Sequence, residues 1–285
     1  MGIKSTGIKI KIYEFTHKVI DTIFSILSIL TSSVIASYKI RTISKTQTNS
    51  CCCVLGNAPS LQDSIDRDTE FIKQKDVLAV NFFAEYDCFL DIKPNYYLLI
   101  DPEFFNSKTA NNFKVLKLIE RFNCVSWKMI LFLPAQFNNF TLKNKILNKN
   151  INIVKFNANR VNGFNIVNNL LYKLNLGTPS SRNVIIPSIL LMINFNYKNI
   201  YLFGVEYSWI SKIRVNEHNR FFWNDDHAFQ KKNIRYLAKG EYKEWLKAVY
   251  SMLDAHERLE NFSKLKKCRI INKTKGSYVD AHKNE

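Results

Sequence analysis

From residue 51 onward, short apolar runs alternate with longer stretches in which apolar positions recur every three or four residues. The short runs lie at 51–55, 77–80, 96–100, 128–133, 151–155, 199–203 and 268–271. Their near-continuous Val, Ile, Leu, Cys and Tyr content predicts strands buried on both faces. Residues 61–74, 109–122, 164–174, 183–195 and 236–262 carry helical spacing instead. Such alternation predicts an α/β fold with a mostly parallel sheet covered by helices on both faces. Right-handed crossovers then bring the strand C-terminal ends, and any ligand, to one edge. The polar, aromatic stretch 208–235 is long for a connection and reads as a lid or an acceptor-binding loop.

The first fifty residues follow a different pattern. Lys4, Lys9, Lys11 and Lys18 precede an apolar stretch from Val19 to Tyr38, and Lys39, Arg41 and Lys45 follow it. Within the stretch Ile20, Ile23, Phe24, Leu27, Leu30, Val34 and Ile35 recur near helical spacing, while Asp21, Ser25, Ser28 and Ser32 fall on the other side. A spanning helix needs about 20 mostly apolar residues, and Asp21 with the many Ser and Thr residues argues against one. The pattern fits a helix lying in an anionic membrane surface, or an ordinary amphipathic helix packed on the protein or on a partner subunit. Residues 42–50 read as a polar linker. The expected division is therefore a basic amphipathic leader, 1–50, and one domain, 51–285, with its lid at about 208–235.

Composition narrows the function classes. Forty-one Lys and Arg against 24 Asp and Glu give a formal charge of +17, a field that attracts phosphates and anionic lipid. No dense arginine cluster or zinc-finger spacing accompanies it, so nucleic acid is not the expected partner. Of the six cysteines, Cys51, Cys52 and Cys53 are consecutive and no CxxC pair occurs. They read as reduced, buried thiols and not as metal ligands or disulfides.

The chemistry-bearing feature is the turn after the first strand, Gly56-Asn57-Ala58-Pro59-Ser60-Leu61. Gly56 permits a close backbone approach, and Pro59 and Ser60 mark a helix start whose free N–H groups suit a phosphate. Neither GxGxxG nor GxxxxGK[ST] is present; on these residues alone, a tight turn with no ligand stays open. The segment resembles the GNGPSL signature of bacterial sialyltransferases of the kind found in Campylobacter, and of related polysaccharide-biosynthesis proteins. Further segments match in order: Asn81-Phe82-Phe83, Asp101-Pro102-Glu103-Phe104-Phe105, Ser181-Arg182-Asn183, and the run from Tyr197 through Gly204 and Glu206 to Tyr207. The resemblance spans about 51–285 and excludes the leader.

It implies a single Rossmann-like nucleotide-binding domain, a GT-A-like sialyltransferase variant, with a small lid and membrane association. It further implies an inverting, metal-independent transferase that moves sialic acid, or a related nonulosonic or Kdo-type sugar, from a CMP donor to a surface-glycan acceptor. The donor side would then comprise Gly56, Asn57, Ala58, Ser60, Asn81, Asp101, Ser181, Gly204 and Tyr207. Ala58 stands where the pattern has a second Gly, and Asp101 where it has an Asn.

Such a transfer needs a base for the acceptor hydroxyl and a means of holding the departing phosphate. His227 lies in Trp223-Asn224-Asp225-Asp226-His227-Ala228-Phe229, in the sector where the resembled family carries its catalytic His. Asp226 beside it would orient the ring; a solvated loop histidine is the alternative. For the phosphate, Arg182 and the basic turn Lys273-Thr274-Lys275-Gly276-Ser277-Tyr278, with Gly276 and Ser277 at its tip, are candidates. No DxD spacing or His–carboxylate cluster suggests a divalent ion, so the expected cofactor list is empty apart from the CMP-sugar donor.

The expected partners are that acidic sugar nucleotide, a glycan or glycolipid acceptor (lipopolysaccharide, capsule or O-antigen) and an anionic membrane surface, at the cytoplasmic face of a bacterial inner membrane. A homo-oligomer is compatible with the sequence. Two other classes stay open: an ATP- and Mg²⁺-dependent enzyme like the pterin pyrophosphokinases, and a non-catalytic polyanion- or membrane-binding module.

Overall fold

The computed structural model of the chain describes residues 2–30, 34–45, 49–106, 112–136, 145–225 and 233–284. Helices α1 (Gly2–Ile29) and α2 (Val34–Lys45) precede strand β1 (Cys51–Leu55). Then come α3 (Leu61–Lys73), β2 (Asp76–Val80), α4 (Phe89–Ile92), β3 (Tyr96–Leu98), α5 (Phe113–Asn123), β4 (Met129–Pro134) and β5 (Ile151–Phe156). The short strands β6 (Arg160–Val161) and β7 (Thr178–Pro179) flank α6 (Asn165–Lys173), and α7 (Ile185–Asn194) leads to β8 (Asn199–Phe203). After β9 (Arg214–Val215), β10 (Phe221–Asp225) and β11 (Asn233–Tyr236), the long α8 (Tyr242–Leu265) returns the chain to β12 (Arg269–Asn272) and β13 (Lys283–Asn284).

Eight strands pair in parallel in the order β13-β12-β8-β1-β2-β3-β4-β5. The fold is α/β and Rossmann-like, and the expected strands and helices appear close to their predicted ranges. Two-residue alternation divides the core. Cys52 and Val54 pack on the α7–α8 face, and Cys53 and Leu55 on the α3–α5 face. All ten residues of α7 are buried, as expected for a helix apolar all round. Each fully buried Ile or Leu there contributes roughly 1.5–3 kcal/mol relative to exposure. The six cysteines are free thiols; burial pushes the Cys53 thiol up to about 12, away from thiolate chemistry.

The stretch expected as a lid or an acceptor-binding loop contributes β9, β10 and most of β11, which form a three-stranded antiparallel sheet. At two residues, β9 is too brief a pattern to separate from loop composition. The leader is not one helix over 19–38 followed by a linker. It forms two helices bent by 88°, and α2 runs on to Lys45. Ile40 of α2 is fully buried within the main core cluster.

Candidate active site

Strand order reverses beside β1: the chain proceeds to β2–β5 on one side, while β8 and β12 lie on the other. In open α/β sheets, ligands bind beyond the strand ends at such a switch point. Here two turns meet, Gly56–Ser60 after β1 and Gly204–Tyr207 after β8. The Gly56 N–H donates to the Phe203 carbonyl at 2.8 Å, and the Ala58 N–H to the Gly204 carbonyl at 3.2 Å. A Cβ on Gly56 would stand 2.2 Å from the Gly204 oxygen, and Gly204 itself holds φ +64 against Leu61. Both glycines serve the close approach of two backbones.

On the β8 side of this junction the polar groups engage one another. Ser60 opens α3, and its N–H donates to both Glu206 carboxylate oxygens at 3.3 and 3.2 Å while its hydroxyl donates to the same carboxylate. The anion at this helix N-terminus is therefore the protein's own. Burial raises the Glu206 pKa, against the opposing pull of the Ser60 N–H. In the basic turn after β12, the Ser277 hydroxyl donates to the Val205 carbonyl at 2.7 Å and accepts from Asn272 Nδ2 and the Val279 N–H. Thr274 Oγ1 accepts from the Val205 N–H. This turn braces the exit of β8, leaving Gly276 (φ +66) at its open tip.

Tyr207, with φ +54, ends a buried relay. Its hydroxyl lies 3.0 Å from His256 Nε2, His256 Nδ1 lies 2.9 Å from His282 Nε2, and His282 Nδ1 lies 3.1 Å from Glu260 Oε2. Because an ionised Glu260 only accepts, one arrangement of donors satisfies the chain. Tyr207 then donates to His256, His256 to His282, and His282 to Glu260. Burial, and then the neighbouring His282, hold His256 well below the usual histidine range, while burial raises Tyr207.

On the β2–β3 side the two asparagine side chains engage partners through their amide donors alone among the described residues. Asn57 Nδ2 donates to the Val80 carbonyl at 3.3 Å, and Asn81 Nδ2 to Asp101 Oδ2 at 2.7 Å. Asn81, only 9% exposed, sits at φ +48 as β2 ends, a conformation asparagine tolerates. Phe82 and Phe104 pack at 4.9 Å beneath the two loops. The side-chain oxygens Asn57 Oδ1 and Asn81 Oδ1 are buried yet accept no hydrogen bond among the described residues. Asp101 decides this orientation, since a carboxylate fixes the Asn81 NH₂ toward itself and turns the oxygen away.

Ser181 Oγ is likewise buried without a partner among the described residues. Arg182 is exposed just before α7. Desolvation, and then the charge of Arg182, lower the pKa of Arg160, so the two guanidinium groups repel each other. His227 and Asp226 fall between β10 and β11, outside the described residues. Trp209, Phe221 and Trp223 form a ladder onto α8: Phe221 stacks on Tyr242 at 4.0 Å, Tyr242 on Trp245 at 5.8 Å, and Trp209 and Trp223 reach the same indole. No group of three His, Cys, Asp or Glu side chains suited to a metal occurs among the described residues.

No family model and no curated protein matches the chain. A structural comparison finds it similar to the MAf glycosyltransferase from Magnetospirillum magneticum AMB-1, with 12% identity and a TM-score of 0.49. The match covers 88% of this chain and 38% of that one. A likeness of this degree is silent on donor, acceptor and reaction.

The site therefore rests on its residues. The fold brings Gly56, Asn57, Ala58, Ser60, Asn81, Asp101, Gly204 and Tyr207 to one sheet edge, while the Ser277 hydroxyl points into the protein. Sequence reasoning missed Glu206 as the partner of Ser60, and gave no part to His256 and His282. Their separations of 146 and 26 positions leave no local signal; only Glu206, lying within a matched run, could have been noticed.

Proposed function

We propose that the chain is a glycosyltransferase that uses a CMP-activated acidic sugar, sialic acid or a related nonulosonic or Kdo-type sugar, without a metal and with inversion. The observation that carries this reading is the pair of unengaged buried acceptors, Asn57 Oδ1 and Asn81 Oδ1, at the strand ends beside the switch point. A buried acceptor without a donor costs about 1–3 kcal/mol, which a bound donor group relieves. The cytosine amino group and the ribose hydroxyls are such donors, and uracil carries an acceptor where cytosine carries its amino group. Asp101 holds Asn81 in the orientation that makes this distinction.

In the proposed reaction His227, oriented by Asp226, takes the acceptor hydroxyl proton. The hydroxyl oxygen bonds to the anomeric carbon from the face opposite the phosphate, and the bond to the phosphate oxygen breaks to release CMP. Arg182, with Arg160 beside it, meets the charge that develops on that phosphate. The acceptor would be a surface glycan of the lipopolysaccharide, capsule or O-antigen kind.

Thermal shifts with CMP, UMP, GDP and ATP, each with and without Mg²⁺, test the donor. CMP should stabilise without metal, and more than UMP. Stabilisation by ATP with Mg²⁺ alone would point to the pyrophosphokinase class, and indifference to every nucleotide to a polyanion-binding module. His227→Ala should keep CMP binding and lose transfer; wild-type turnover in that variant removes His227 from the mechanism.

A further inference from the structure

Helix α1 turns Thr22 and Ser25 inward and much of its apolar side outward, while α2 buries Ser37 beside Ala36 and Ile40. In α1, Ser25 Oγ donates to the Asn162 carbonyl at 2.9 Å and accepts from the Asn162 N–H at 2.8 Å. Thr22 Oγ1 accepts from the Phe164 N–H at 3.0 Å. Gly163 between them permits the approach, since a Cβ there would stand 2.1 Å from Thr22 Oγ1. In α2, Ser37 Oγ donates to the Asn175 carbonyl and accepts from Asn157 Nδ2, both at 2.9 Å. The outward face is apolar: Ile23, Phe24 and Leu27 of α1, then Leu30, then Ile35 and Tyr38 of α2, are all more than half exposed, Leu30 at 80%.

A helix folded onto a water-soluble domain buries its apolar stripe. Along α1 the apolar side is instead left outside, and α2 leaves Ile35 and Tyr38 exposed opposite its buried Ala36 and Ile40, so the apolar surface that remains calls for a cover. Charge selects the cover. Lys11, Lys18, Lys39 and Arg41 lie exposed around the apolar face on a chain of formal charge +17. A rim of that sign around an apolar face suits anionic headgroups over acyl chains. Among the described residues no single helix is long and apolar enough to cross a membrane, and α1 and α2 pass that test only as a pair bent by 88°. The hydrogen bonds from Thr22, Ser25 and Ser37 hold both helices along the domain, and a spanning arrangement would break them.

We propose that the outward face of the α1–α2 elbow docks on an anionic phospholipid surface, lying within the headgroup boundary and not spanning the bilayer. The elbow is thereby the membrane-facing side of the molecule, adjoining β5, β6 and α6. This conclusion rests on the packing of α1 and α2 alone and is independent of whether the strand-end site transfers a sugar.

The test is sedimentation of the full chain with vesicles of phosphatidylcholine containing about 30% phosphatidylglycerol. Wild type should bind them, and about tenfold less well in pure phosphatidylcholine or in about 0.5 M salt. The triple variant Ile23→Asp, Phe24→Asp, Leu27→Asp should lose at least about tenfold in partitioning, with its circular dichroism and melting temperature unchanged because these side chains are exposed. Reversing only the rim, Lys18→Glu with Lys39→Glu, should weaken binding to the anionic vesicles in the same direction. Three results would each overturn the proposal. They are undiminished binding by the triple variant, wild-type binding to neither vesicle, and a wild-type dimer that the triple variant makes monomeric without vesicle binding, which would assign the face to a second copy. Resistance of the bound wild type to alkaline extraction would instead show a span and overturn the interfacial placement.

Discussion

The two sides of the junction between β1 and its neighbours carry similar polar residues to opposite ends. Toward β8 and β12, Ser60, Glu206, Thr274 and Ser277 bond to one another or to backbone, and Tyr207 closes the relay through His256 and His282 to Glu260. Toward β2 and β3, Asn57 and Asn81 each use their amide donor and leave the oxygen buried and unmatched among the described residues. A satisfied buried network specifies and rigidifies; an unsatisfied one marks a place where something else supplies the missing group. Under the proposed function, the first side holds the fold and the second binds the donor.

The largest test of the holding side is Gly56→Ala. Its new methyl would meet the Gly204 carbonyl at 2.2 Å, so one of the two turns must move. We expect a loss of about 3 kcal/mol or more, read as a melting temperature lower by roughly 6–12 °C. A shift within about 2 °C would mean the turns are not locked together.

A crossed pair of variants comes next. Ser277→Ala strands the Val205 carbonyl, the Asn272 amide and the Val279 N–H, and should cost about 2 kcal/mol of stability while changing CMP affinity less than about twofold. Asn57→Ala should do the converse, weakening CMP about tenfold with a small change in melting temperature. Calorimetric titration beside a thermal melt reads both, and the reverse pattern would exchange the roles of the two sides.

The smallest effect is pH dependence from the relay. Burial holds His256 neutral in the folded chain, so its folded pKa lies below the unfolded value of about 6.5. As the pH falls below about 6.5 the unfolded state binds a proton that the folded state does not. Stability therefore declines there, by at most about 1.4 kcal/mol per unit, and this contribution is flat above that pH. Chemical denaturation between about pH 7.5 and 5.5 checks it, and a His256→Gln variant should lose this component of the slope.

Much of the scaffold is legible in the order of residues alone. The run of three cysteines with Val54 and Leu55 reads as a strand because its residues are apolar on successive positions, and the Gly-Asn turn after it falls where β1 ends. The three-stranded sheet at 208–235 is not legible, because strands as short as Arg214–Val215 give no period to detect. The candidate site is legible as a set of loop positions, Asn57, Asn81 and Asp101 among them, and illegible as a network. That Ser60 meets Glu206 depends on β8 pairing beside β1, a long-range outcome.

The leader makes the same division. Sequence by itself determined that residues 19–38 carry an apolar and a polar face, since periodicity is local and fixed by helix geometry. Only the tertiary structure decided which face turns inward, because that choice depends on what the helix meets. What α1 meets is the polar backbone at Asn162–Phe164, so Thr22 and Ser25 turn in and Ile23, Phe24 and Leu27 are left outside. At the strand ends, likewise, the sequence supplied the polar residues. Which were consumed in holding the fold and which left their acceptors unmatched was settled only by the order of the strands that brought them together.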